Sequence, residues 1–88
     1  MTWEIRWEAR AFKELQALDR SARRRILAFF RNRVAVAERP ETLAKRLRGP
    51  LSGFWRYRVG DYRILCRIEA AEVSVYVLQV GHRREVYR

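Results

Sequence analysis

Arg56, Arg58, Arg63 and Arg67 alternate with apolar residues on either side of Gly60-Asp61, and this spacing already defines a chemistry. Glycine at the first central position suits a two-residue type II′ hairpin turn. Such a turn sets Val59 opposite Tyr62, Arg58 opposite Arg63, Tyr57 opposite Ile64 and Arg56 opposite Leu65. Side chains alternate across a strand, so two faces separate. Trp55, Tyr57, Val59, Tyr62, Ile64, Cys66 and Ile68 share an apolar face, and the four arginines share the other. Like charges directly opposite each other destabilise a strand pair. Folding alone gives no reason to set Arg58 against Arg63, although solvated charge is also an ordinary sheet exterior.

The carboxyl end adds to that face. Gly81 is expected to close the last strand and release a basic segment holding Arg83, Arg84 and Tyr87. If that strand lies beside Tyr62–Ile68, Arg83 and Tyr87 reach the rim of the arginine face. Arginines and a tyrosine in one concavity can hold a phosphodiester by bidentate contacts and stack a base. The same donors would meet the charge that grows on a pentavalent phosphate.

The elements that must position these residues follow from periodicity. Trp3, Ile5 and Trp7 alternate with charged residues, which predicts a half-buried strand. Phe12, Leu15 and Leu18 then fall at helical spacing, giving a helix near residues 8–18. Ser21 is expected to cap a second helix whose stripe is Leu27, Phe30, Val34 and Ala37, widened by Ile26 and ended by Pro40. Residues 41–53 read as a connector broken at Gly49-Pro50 and Ser52-Gly53. Strands follow at 54–59, 62–68 and 73–80, with Ala70-Ala71 between the last two. The order implies an α+β fold, a single domain over residues 1–88. In it an N-terminal strand and an antiparallel helix pair pack on one face of a small antiparallel sheet.

Composition narrows the partner. Twenty Lys+Arg stand against ten Asp+Glu in 88 residues, a net charge of +10. Lys13 and Lys45 are the only lysines, so eighteen of the cations are arginines. Arginine's planar fork matches phosphate, and the excess points to a polyanion, nucleic acid or ribosome. With 49% hydrophobic residues the chain can still build a core. One cysteine and one histidine supply neither a disulfide framework nor a zinc cluster, so no cofactor is expected. No secretory signal and no membrane-spanning run is legible, and a cytoplasmic location is expected.

The runs KRLRGPLSGFWRYRVGDYRILCRI and VLQVGHRREVY resemble the RelE toxins of the RelE/ParE toxin–antitoxin superfamily over Lys45 to Arg88. The resemblance implies a RelE-like fold and a ribosome-dependent mRNA endonuclease. Such toxins cut the message in the A site without a metal ion, by attack of a ribose 2′-OH on the adjacent phosphate. It places the catalytic set on Arg56, Arg58, Arg63, Arg83 and Tyr87. Where well-known members have Lys-x-Lys, this chain has Arg56 and Arg58. Arginine cannot readily handle protons, so the pair is electrostatic. Proton transfer then passes to Tyr87, His82 or groups of the RNA. The implied partners are a cognate, mostly acidic antitoxin, the ribosome with its mRNA, and operator DNA reached only through the antitoxin complex.

Lys45, Arg46 and Arg48, with Arg23 to Arg25, would suit ribosomal RNA contacts or form solvated surface. Cys66 is expected in the core. Two other functions fit a chain of this charge: a ParE-like inhibitor of DNA gyrase on the same fold, or an RNA-binding module without turnover.

Overall fold

The computed structural model describes residues 2–82. Strand β1 spans Glu4–Trp7, helix α1 Ala9–Gln16 and helix α2 Arg20–Phe29, followed by a π-helical turn at Phe30–Val34. A 3-10 turn at Pro40–Leu43 leads to a short strand β2, Lys45–Arg46. Strands β3 (Trp55–Val59), β4 (Tyr62–Glu69) and β5 (Ser74–His82) complete a five-stranded sheet of order β1-β5-β4-β3-β2. The fold is α+β, as expected. The sheet, however, is mixed: β1 runs parallel to β5 and every other pair is antiparallel.

Both helices lie against the apolar face of this sheet, α1 chiefly on β5 and α2 on β3. Ala11 and Leu15 of α1, and Ala22, Ile26, Phe30 and Val34 of α2 and its π turn, are buried. The buried stripe on the second helix thus advances in steps of four, along one ridge of the helix surface. Leu27 lies off that ridge and is 38% exposed, and Phe12 is 50% exposed. Opposite the helices stand Tyr57, Val59, Ile64, Cys66, Val75, Val77 and Val80. The Phe30 ring meets Tyr57 edge-on at 5.2 Å and Trp7 at 5.4 Å, geometry that aromatic pairs favour.

Two expected helix boundaries move. Asp19, not Ser21, caps α2: its carboxylate accepts the Ala22 amide at 2.7 Å, which leaves Ser21 one residue inside the helix. The helical stretch ends at Val34, well before Pro40, where the Ala35 amide donates to the Phe30 carbonyl across five residues. Pro40 instead opens the 3-10 turn, and its carbonyl accepts the buried Tyr57 hydroxyl at 2.9 Å. The connector also holds one strand that its sequence hides, β2, because two residues are too few to show a period.

Candidate nucleic-acid interface

The β3–β4 hairpin has the register its turn dictates: Arg58 faces Arg63, Arg56 faces Leu65 and Val59 faces Tyr62. Gly60 sits at φ +58, and Asp61 is not among the residues of positive φ, the combination a type II′ turn requires. Tyr57 and Ile64 are fully buried under the helices, so Arg56, Arg58, Arg63, Leu65 and Arg67 occupy the opposite face of the sheet. Lys45 of β2 pairs with Arg56 and extends that face. Arg46 pairs with Trp55 and so belongs to the other one. Arg48 is exposed just beyond β2.

Strand β5 reaches this face through a bulge. Leu65 pairs with Gln79 but Cys66 pairs with Val77, so Leu78 is the extra residue. Without it, strict alternation from Val75 and Val77 would send Gln79 into the core. With it, Val80 joins the core and Gln79 and Gly81 turn to the arginine face. The amide of Val80 is held by the Glu14 carboxylate of α1 at 2.8 Å. Gly81 pairs with Arg63, so the arginine has another arginine on one flank and a residue without a side chain on the other. Strand β5 runs on to His82, past the expected stop at Gly81.

The charge on this face is unevenly compensated. At one end Arg67 binds Glu69 at 2.8 Å and lies over the Tyr76 ring at 4.4 Å, while Arg6 binds Glu4 at 2.8 Å. Tyr76 in turn donates to the Glu72 carboxylate, which holds its phenol proton and raises its pKa. Arg67 therefore stands apart from the arginines with which its alternation groups it. At the other end Arg56, Arg58 and Arg63 make no ion pair among the described residues. One guanidinium nitrogen of Arg63, Nη1, is buried with no hydrogen-bond partner among those residues. Between the two ends Leu65 is only 3% exposed.

A buried cationic donor without a partner is costly, and it is the arrangement an anion would complete. Arg58 and Arg63 can grip one phosphate from two sides, and Arg56 with Lys45 can hold a neighbouring one. His82 pairs with Tyr62, and the two rings meet edge-on at 5.6 Å. Tyr62 packs against the core, so His82 stands on the helix face, away from Arg58 and Arg63. Arg83 and Tyr87 lie outside the described residues. Cys66 is fully buried, and burial pushes its thiol pKa well up.

A further groove lies on the helix side of the molecule. It encloses about 660 Å³ between β1 and α2, floored by Ile5, Trp7, Leu27 and Phe30 and rimmed by Arg24, Arg25 and Arg31. The described residues contain no group of three or more His, Cys, Asp or Glu able to hold a metal ion, and no helix long and apolar enough to cross a membrane.

A model of the family described as "ParE toxin of type II toxin-antitoxin system, parDE" matches residues 5–87. The toxin RelG of Mycobacterium tuberculosis is 38% identical over 53 residues, which are 60% of this chain and 61% of that relative. The chain therefore spans about three fifths of the curated relative it matches. Among solved structures, the RelBE2 toxin–antitoxin complex of the same bacterium superimposes with a TM-score of 0.86 at 28% identity, over 94% of this chain and all of that one. The archaeal RelE–RelB complex of Pyrococcus horikoshii gives 0.76 at 26% identity, over 98% of this chain and all of that one. The isolated Escherichia coli RelE toxin, at 24% identity and 0.71 over 97% of this chain and 90% of that one, shares the fold.

Proposed function

This chain belongs to the ParE toxin family of type II toxin–antitoxin systems, and from that premise we propose that it is a ribosome-dependent endoribonuclease that cuts messenger RNA in the A site. The observation that carries the reading is the set Arg56, Arg58 and Arg63, uncompensated by acids among the described residues and with Arg63 Nη1 buried and without a partner among them. In this reading the ribose 2′-oxygen attacks the adjacent phosphorus and the bond to the 5′ oxygen breaks. A 2′,3′-cyclic phosphate and a 5′-OH remain. Arg58 and Arg63 brace the phosphate as its charge grows, and Arg56 holds the backbone beside it. Arg83 stabilises the departing 5′ oxygen. Tyr87 stacks on the nucleotide, and the 2′-OH proton passes to Tyr87 or to a group of the RNA, since His82 stands on the helix face. Lys45 and Arg48 carry ribosome or message contacts, with Arg46 on the opposite side. The whole chain acts as a single domain in the cytoplasm.

Its inhibitor is a cognate antitoxin. The relatives in the RelBE2 and RelE–RelB complexes are held with antitoxins, and a chain of +10 net charge calls for an acidic one. Operator DNA is reached through that complex. A second reading, inhibition of DNA gyrase, is favoured by one observation: the matching family model is that of the ParE toxin. Programmed ribosomes with a defined A-site codon separate the two. A new message end within that codon, absent without ribosomes and weakened by Arg63→Ala and Tyr87→Phe, is the expected result. Intact message together with blocked supercoiling by gyrase would transfer the protein to the second reading.

A further inference from the structure

The hairpin tip is covered by a side chain from the helix layer. A Cβ built on Gly60 would lie 3.1 Å from Arg25 Nη1, 3.2 Å from Nη2 and 3.4 Å from Cζ. The two terminal nitrogens stand nearer than Cζ, so the guanidinium meets the glycine with its Nη1–Nη2 edge. Arg25 makes no ion pair and no side-chain hydrogen bond among the described residues. Its donors are unspent, and the residue is exposed to solvent. Gly60 stands two residues from Arg58, about 7 Å along a strand.

Arg25 does not stand alone. With Arg20, Ser21 and Arg24 it lines a small cleft of about 410 Å³ that contains no acidic residue. Arg20 and Arg24 are four apart on α2, a like-charge spacing that weakens a helix. Both also lie in the first turns, where the helix dipole disfavours cations. The acid at this end, Asp19, is engaged as the cap on the Ala22 amide. Stability of the helix thus gives no account of these arginines, and a bound anion does.

We propose that Arg25, seated against Gly60, is a phosphate-binding residue that carries the hairpin's arginine face around the turn to Arg24 and Arg20. One RNA strand would then be gripped at the scissile phosphate by Arg58 and Arg63 and at a further phosphate by Arg25. This rests on the RNA reading above but not on turnover. An acidic protein segment would also suit arginines. Continuity with the unpaired Arg58–Arg63 end of the hairpin favours the nucleic acid.

The test is the salt dependence of binding to a short 2′-O-methyl RNA oligonucleotide, which lacks the nucleophile and cannot be cut. Each phosphate contact on a single strand contributes about 0.7 to the slope of log K against log salt. Arg25→Ala is expected to lower the slope by about 0.7 and to weaken binding about three- to tenfold at low salt. Arg33→Ala removes the same charge from the exposed far end of the helical segment and is expected to leave the slope unchanged. Arg25→Lys keeps the charge but not the bidentate guanidinium fork, and should fall between. Equal losses from Arg25→Ala and Arg33→Ala, or a wild-type slope in Arg25→Ala, would overturn the proposal. So would an Arg25→Ala variant that keeps its RNA affinity and loses affinity for the antitoxin. Wild-type protein that binds this RNA with the expected slope yet never cuts message would sink the nuclease reading and leave Arg25 in its role.

Discussion

Arg58 and Arg63 face each other across the β3–β4 hairpin with no acidic side chain paired to either among the described residues. Their repulsion is retained in the fold, and binding of a phosphate would remove it. Function and stability should therefore move in opposite directions at this pair. Arg58→Thr is expected to stabilise the protein by about 0.5 kcal/mol, because a directly opposed like-charge pair is lost. The same change should lower message cleavage on ribosomes about a hundredfold, in line with loss of one preorganised donor. Urea unfolding at low and high salt checks the first half, since added salt should narrow the gap between variant and wild type. A variant less stable than wild type at both salt concentrations would refute the opposition.

Glu14 reaches from α1 to the bulge in β5 and accepts the Val80 amide. That bond satisfies a donor two residues beyond the bulged Leu78 and helps to hold the strand in the register that puts Gly81 beside Arg63. Glu14→Ala is expected to cost about 1–3 kcal/mol, the range for a buried donor left without its partner. Arg10 also pairs with Glu14, but exposed pairs of that kind contribute little. Hydrogen exchange at Val80 should quicken in the variant more than exchange at Val75 or Val77. Uniform quickening along β5 would mean that Glu14 acts on global stability alone.

What could be read in advance was what short-range rules govern. Gly60-Asp61 fixes a hairpin, and alternation on both sides sorts Tyr57 from Arg58 and Ile64 from Arg63 without tertiary knowledge. The bulge at Leu78 could not be read, because V-L-Q-V carries no glycine or other mark, and the Glu14 carboxylate that takes the Val80 amide comes from a distant helix. The parallel pairing of β1 with β5 was hidden for the same reason: the partners are some seventy residues apart. Leu27 and Phe12 looked like core because apolar spacing permits two neighbouring stripes, and only the sheet decides between them. Arg67 looked like its neighbours; its partner Glu69 lies two residues on along the same strand, and only the Tyr76 contact depends on strand pairing.

Val73 lies between the Ala70–Glu72 turn and β5 at φ 50, ψ 47, the left-handed region. A β-branched residue pays about 1–2 kcal/mol there relative to right-handed backbone. The conformation is kept because the Val73 carbonyl accepts the Glu4 amide at 2.9 Å and ties β1 to the sheet. Val73→Gly is expected to stabilise the protein by about 1 kcal/mol, with part of the relief offset by the greater freedom of glycine in the unfolded chain. Val73→Asn, which tolerates this region, should stabilise as well. Thermal melts of both variants decide the matter, and a lowered midpoint in both would mean that packing of the valine outweighs its backbone strain.

Burial holds two acidic groups of the core in their neutral forms. The Cys66 thiol is pushed well above its ordinary value of 9.0 by desolvation. The Tyr57 phenol is pushed far above 10.0, by desolvation first and then by its neighbours Cys66 and Glu41. In the unfolded chain both groups lose their protons at ordinary values, so above about pH 9 the unfolded state binds fewer protons than the folded one. Stability must then fall as pH rises, first through Cys66 from about pH 9 and then through Tyr57 from about pH 10, by up to about 1.4 kcal/mol per pH unit for each group. Cys66→Ala is expected to be less stable at pH 7 because it leaves a cavity, yet to lose less stability between pH 9 and 10. Urea midpoints from pH 7 to 11 for the two proteins give the comparison, and parallel curves would show that the thiol is not kept neutral by the fold. In the same wild-type protein Cys66 should resist alkylation at pH 8 until denaturant is added, because a neutral buried thiol is a poor nucleophile.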